Sequence, residues 1–176
     1  MKTYAKLEDG ALRLMERVPN ISNPTEAQRA AYAAAHGFKE LVAVDAPGRY
    51  YRKGYAEGQD AITETWTAWE LGEAKENALR EVQGKLDTVL DARATVPCEG
   101  FPAGIVYDRN ALINVGGLAA GDVFIDATDG LHSLTDADVE AITTALKAHR
   151  QGLYAQATQS RAAIDTAQTV DDLPQD

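Results

Sequence analysis

The chain has 176 residues, 45% of them hydrophobic and 25% charged, which suffices for one ordinary domain or two small ones and is ordinary for a water-soluble fold. Its formal charge of −10 argues against a partner held through a phosphate backbone, because that affinity comes from Lys and Arg displacing counterions. The single cysteine, Cys98, excludes an intramolecular disulfide and a multi-cysteine zinc site, and no stretch approaches transmembrane length or forms an apolar leader, so a cytosolic protein without a membrane role is expected.

Residues 3–7 and 11–18 flank Glu8-Asp9-Gly10, and Asp-Gly between two such runs signals a hairpin. Asn23-Pro24-Thr25-Glu26 predicts a helix start: Asn23 caps, Pro24 suits the first helical position and Glu26 sits three residues after the cap. The helix runs through the Ala-rich stretch 28–35 and ends at His36-Gly37, where glycine takes the left-handed position and His36 serves as a solvated cation at the negative end of the helix dipole. Residues 38–45 read as a strand, Pro47-Gly48 as a turn, and 49–56 and 62–69 as two further strands. Tyr50, Tyr51, Tyr55, Trp66 and Trp69 cluster here. Facing inward they are the core of a small module, and facing outward they are a binding surface.

From Leu71 the pattern changes. Leu79, Val82, Leu86 and Val89 alternate spacings of three and four, the stripe of an amphipathic helix over 71–93. Four helix breakers within 97–104 predict a loop, followed by a short extended run at 105–107. Asp108 or Asn110 caps a short helix over 111–118, residues 123–125 form a second short apolar run, and Asp129-Gly130 is a turn. Thr135 with Asp138 is a capping pair that opens the last helix. Val139, Ile142, Leu146, His149 and Leu153 form its stripe, expected to pack on 79–89, and Ala157, Ile164 and Ala167 continue the face with small residues that allow close approach of another helix, one from a second subunit included. A helix of about 30 residues spans ~45 Å. The whole reads as α+β: a small N-terminal β-rich module (β-β-α-β-β-β) over residues 1–70, then a mainly helical part over 71–176 built on a long antiparallel helix pair, with a short β/loop insertion at about 97–134.

The residues offer little for bond-making chemistry. Asp122, Asp126, Asp129, Asp136 and Asp138 lack the spacing of a calcium loop and read as turn and cap residues, with a loop cation as the alternative. Gly116-Gly117 to Gly121 lacks the Gly-Lys-Ser/Thr ending of a phosphate loop. His132 adjoins Ser133, but adjacent residues seldom aim at one reacting atom, and His149 lies on an apolar stripe. Cys98 has no histidine near it in sequence and reads as an inert side chain. No catalytic, cofactor-binding or metal-ligating set emerges, so neither enzymatic activity nor a cofactor is expected. The candidate interface residues are Tyr50, Tyr51, Tyr55, Trp66, Trp69, Ala157, Ile164 and Ala167.

Several short motifs occur in a fixed order: Leu90-Asp-Ala-Arg93 closing a helix; Tyr107-Asp108, then Asn114-Val115-Gly116-Gly117; Asp126-Ala-Thr-Asp129-Gly130; His132-Ser-Leu-Thr135; and Leu146 through Tyr154 into Arg161-Ala-Ala-Ile-Asp-Thr-Ala167. On these the segment 90–173 resembles an uncharacterised domain of phage and prophage tail proteins associated with tail fibres. The family often carries a Trp before the Asp-Asn/Gly turn, where this chain has Phe124 or Ile125. The resemblance implies a non-enzymatic tail structural or fibre-assembly protein that self-associates and contacts a tail-fibre or baseplate protein. It would reside in the bacterial cytoplasm during phage assembly, or in the virion tail. The alternative is a small-ligand, glycan or cation-binding module using the aromatic cluster or the acidic loop at 122–138.

Overall fold

A computed structural model describes residues 2–175. The architecture is mixed α+β, with strands concentrated at the N-terminal end and helices at the C-terminal end, and the chain divides into two compact units, residues 1–71 and 72–174.

The first unit holds strands β1 (Tyr4–Glu8) and β2 (Ala11–Leu14), helix α1 (Glu26–Ala35), and strands β3 (Lys39–Val42), β4 (Tyr51–Glu57) and β5 (Ala61–Ala68). They build one five-stranded sheet in the order β2-β1-β3-β5-β4. The β1–β2 turn is Asp9-Gly10, with φ of 52° and 79°. Both central residues are left-handed, the geometry that matches the twist of paired strands and that Asp-Gly supplies most cheaply. Thr25, not Asn23, caps α1: its hydroxyl accepts from the Gln28 amide while Gln28 reaches back to the Thr25 amide, a reciprocal pair that the sequence Asn-Pro-Thr leaves open to more than one register. Tyr4, Met15 and Ala33 bury together, with Phe38 packed against them. Tyr4 also donates its hydroxyl to Glu26 Oε1 at 2.8 Å, which ties β1 to the first turn of α1.

The second unit begins with helix α2 (Leu71–Asp91) and continues through β6 (Ala94–Cys98), β7 (Phe101–Tyr107), α3 (Ala111–Val115), β8 (Val123–Ile125), β9 (Leu131–Ser133) and α4 (Asp136–Thr166), ending in a single 3-10 turn at Val170–Asp172. The expected loop at 97–104 is instead part of an antiparallel hairpin, β6–β7, turning at Glu99-Gly100. Its breakers are accommodated by geometry: the pairing shifts register between Val96 and Cys98, around Pro97, and Gly104 takes φ 78°. Any Cβ at Gly104 would meet Thr95 Cγ2 at 2.7 Å and the Val96 carbonyl oxygen at 2.9 Å, so the strands approach there only because the side chain is missing.

The long helix is capped as its sequence dictates. Thr135 accepts from the Asp138 amide, and the Asp138 carboxylate accepts from the Thr135 amide at 2.8 Å and from its hydroxyl at 2.6 Å. One face of α4 then serves two clusters. Ile142 and Leu146 bury against Val96, Phe101, Ile105 and Tyr107 of the β6–β7 hairpin and Ala111 and Val115 of α3, with Val139 packed beside them. Further on, Ala157 buries with Leu86 and Leu90 of α2, and Leu153 touches both clusters. The expected packing of the stripe Val139–Leu153 on Leu79–Val89 is met at Leu153, whereas Val139, Ile142 and Leu146 lie against the β6–β7 hairpin and α3, which take that surface. The inward residues of α2 are correspondingly Ala74, Ala78, Leu86 and Leu90, while Val89 is 42% exposed.

Two measurements probe this arrangement. Thr135→Ala removes the cap of α4 and is expected to cost about 1 kcal/mol, read as a lower urea midpoint with unchanged m-value. Ile142→Ala empties a position that is 0% exposed and should cost roughly 2–5 kcal/mol in the same titration.

Candidate functional site

Within the second unit α3, the β8–β9 hairpin, Arg93 after α2, Val106 of β7 and Leu146 of α4 border a cleft of about 410 Å³. Its polar lining comes from Arg93, Asp108, Asn114, Asp126 and Asp129, set among apolar side chains that include Phe124. Every one of these polar residues belongs to a motif named above, though they are spread over nearly forty positions of sequence. Asp108 turns the chain into α3, its carboxylate accepting from the Asn110 amide at 2.9 Å. Arg109 holds that corner to α2 through Asp91 at 2.6 Å.

The turn between β8 and β9 is organised around Asp126, a buried carboxylate. One of its oxygens accepts from the Thr128 amide at 2.8 Å, the Thr128 hydroxyl at 3.0 Å and the Gly130 amide at 2.9 Å. The other lies 2.8 Å from His132 Nε2, which must carry the proton because an ionised carboxylate only accepts. Gly130 is essential to this contact, since a Cβ there would stand 2.7 Å from the carboxylate. The Ala127 amide donates to the Gly104 carbonyl at 3.1 Å and pins the turn to β7. The His132 hydrogen bond, followed by the Thr128 and Gly130 amides, holds the Asp126 carboxyl well below the usual carboxylate range.

This geometry bears on the acidic stretch. Asp126 is occupied by its own turn, Asp122 accepts from the Ala119 amide at 2.9 Å, and Asp138 is the helix cap. Among the described residues no group of three His, Cys, Asp or Glu is placed to hold a metal ion.

The candidate interface residues fall in two groups. Tyr50 is 2% exposed and packs edge-on to Trp69, with centroids 6.1 Å apart, so it is a buried side chain within the chain. Tyr51, Tyr55, Trp66 and Trp69 are half-buried on and beside the β4–β5 hairpin. Trp66 donates Nε1–H to the Val44 carbonyl at 2.9 Å and lies under the Lys53 ammonium, and Arg52 sits over Trp69. Ala157, Ile164 and Ala167 are buried within the chain, Ile164 completely, and at Ala157 the helix that approaches is α2. The hydroxyl and imidazole groups weighed earlier do not converge either: His149 stacks edge-on to Tyr107 at 4.7 Å, and His36 lies against the last turn of α1 with Nδ1 2.9 Å from the Tyr32 carbonyl. Burial, together with Asp138 and Glu99, raises the Cys98 thiol above its ordinary value, the opposite of nucleophile activation.

Asp126 was the legible part of this site. An Asp two residues before a Thr carries the signature of a side chain that accepts from the backbone two positions on. Arg93 and Asn114 gave no signal, because only tertiary contact brings them to the same cleft.

The residues that build the cleft and the long helix lie in the segment 73–175, which matches the family described as Domain of unknown function (DUF4376). The chain belongs to that family. No curated protein and no solved structure matches it. The DUF4376 segment thus covers α2, both small hairpins, α3 and α4, while the five-stranded sheet lies outside it.

The Asp126 turn makes a pH-dependent prediction. A carboxyl depressed in the folded state adds stability that is fully present above its unfolded pKa of about 4 and is lost progressively as pH falls toward the folded value. Asp126→Ala should therefore melt below the parent at pH 7, and the gap between the two melting curves should close in strong acid. A gap that is constant from neutral to strongly acidic pH would refute the assignment.

Proposed function

We propose that the protein is a non-enzymatic structural or assembly component of a phage or prophage tail, working through protein–protein contact. The observation that carries this reading is the convergence of its motifs. The resemblance to tail-fibre-associated proteins rests on short ordered sequences, and Arg93, Asp108, Asn114, Asp126 and Asp129 from four of them meet in one cleft inside the DUF4376 segment. Motifs matched by chance have no reason to share a site. In this reading the protein acts in the bacterial cytoplasm during assembly, or in the virion tail, and its partners are further copies of itself and a tail-fibre or baseplate protein.

The proposed scaffold is an antiparallel pairing of α2 and α4. Contacts between them descend along one helix as they ascend along the other: Leu86 and Leu90 meet Ala157 and Leu153, Gln83 accepts from Arg161, and Lys75 donates to the Asp165 carbonyl at 2.9 Å. Such a pair resists bending and suits a spacer or a clamp better than a shaped reaction vessel. A shallow apolar groove along it, about 290 Å³ and bordered by Val82, Val89 and Leu153, is the surface assigned to self-association. No helix among the described residues is long and apolar enough to cross a membrane.

The reading is tested by reading the neighbouring genes and co-expressing the protein with any tail-fibre product encoded beside it. A stable complex on size exclusion, with the protein recovered in either tails or assembly intermediates, is the expected result. A metabolic operon around the gene together with separate elution would overturn it. Self-association is read independently by sedimentation: Val89→Glu should shift an oligomer toward monomer by about tenfold or more in dissociation constant if the groove is buried.

A further inference from the structure

The β8–β9 hairpin has two unlike faces. The pairs Val123↔Ser133 and Ile125↔Leu131 are in register, so Val123, Ile125 and Leu131 share one side of the ribbon, and Phe124 and His132 share the other. The Phe124–His132 side is turned into the unit, where both rings pack edge-on to Phe101 at 5.6 and 5.0 Å. The opposite side is open among the described residues: Val123 is 64% exposed, Ile125 54% and Leu131 73%. The inward face is fixed by the Asp126–His132 contact and the phenylalanines, so the ribbon cannot turn over to hide its aliphatics. Scattered exposed aliphatics are ordinary, but three β-branched or branched side chains grouped on one short ribbon are a contiguous apolar surface of the kind that marks an interaction site.

The charge around this surface is one-sided. From position 110 to 146 the chain contains no Lys or Arg, yet it carries Asp122, Asp126, Asp129, Asp136, Asp138 and Glu140. The exposed Asp129 flanks the turn end of the ribbon. At the open end Asp122 is bonded to Leu134, whose amide donates to the Asp122 carbonyl at 2.9 Å, and Asp136 follows two residues on. Arg93 shares the neighbouring cleft with Asp108, Asp126 and Asp129, so carboxylates outnumber the cation there as well. A second copy of the chain would bring the same carboxylates against these, and that opposes pairing of two such faces.

We propose that the outer face of β8–β9 is a docking surface for a different protein, one that presents an apolar strip flanked by lysine or arginine. The aliphatic side chains supply the desolvated centre, and the carboxylates at the two ends of the ribbon steer and orient the partner. This surface follows from exposure and charge alone and stands whether or not the partner belongs to a phage tail.

The full chain, isotope-labelled, is titrated with three synthetic peptides of about a dozen residues: alternating Val/Lys, alternating Ser/Lys and alternating Val/Glu. Val/Lys is expected to shift the amides of 122–133 selectively, with binding that weakens about tenfold or more between low and ~0.5 M salt. Replacing Val123, Ile125 and Leu131 together by Thr keeps strand propensity and charge and should weaken that binding by about tenfold or more. Asp129→Asn, a residue that tolerates the left-handed backbone at this position, should weaken it severalfold without disturbing the turn. Equal binding of Ser/Lys, or an unchanged affinity in the triple Thr variant, would overturn the proposal by reducing the surface to non-specific charge. Concentration-dependent shifts of the same amides in the chain alone, without a Val/Lys response, would overturn it in favour of self-pairing.

Discussion

The arrangement of the C-terminal unit depends on how one long helix disposes of its apolar face. An isolated helix gains little from hydrogen bonding alone and is stabilised mainly by burying a stripe. The stripe of α4 is too long for one partner. Its first half, through Ile142 and Leu146, is covered by the β6–β7 hairpin and α3, and its second half, through Ala157, by α2. Leu153 sits where the two partners change over and touches both. The capping pair Thr135–Asp138 fixes where the stripe begins, and so the phase in which each later residue meets its partner.

Once the hairpin occupies the first half of α4, the remaining features of the unit follow. The hairpin must lie close, which the missing side chain at Gly104 permits. Phe101, the first residue of β7, offers a ring on which Phe124 and His132 lie, and this orients the small β8–β9 ribbon. The Asp126 carboxylate, bonded to two backbone amides, a hydroxyl and an imidazole, locks the turn of that ribbon and leaves its aliphatic side outward. A cleft with a mixed polar lining and an apolar ribbon bordered by carboxylates are then consequences of packing. Both belong to the DUF4376 segment.

Much of the organisation is legible because it is local. Asp9-Gly10 can make only a few turns, and it makes the one that joins paired strands. Thr135 and Asp138 are three residues apart and find each other whatever surrounds them. The failures have equally specific causes. Pro97, Pro102 and Gly104 read as loop signals, yet a two-stranded hairpin has free edges and bulges that tolerate them. Asn23 and Thr25 compete as caps, and the choice falls to Thr25 because Gln28 answers it. The stripe Leu79–Val89 is a valid helical pattern, but the inward face is set by the partner's shape. The buried positions are Ala74, Ala78, Leu86 and Leu90, and Val89 is left half-exposed.

By itself the sequence determined the order of elements in the first unit, the Asp9-Gly10 hairpin turn, the cap and length of the last helix, and the net negative charge. These depend on dihedral preference, on neighbours three or four residues apart and on simple composition. Tertiary structure decided which face of each helix is inside, that Tyr50, Ala157, Ile164 and Ala167 are core and not surface, and that Arg93, Asp108, Asn114 and Asp126 come together. It also decided that Val123, Ile125 and Leu131 remain exposed while Phe124, between two of them, is covered. The physical reason is that burial belongs to the pair of surfaces that meet. A residue's own chemistry fixes what it gains from being covered, and only the partner fixes whether it is.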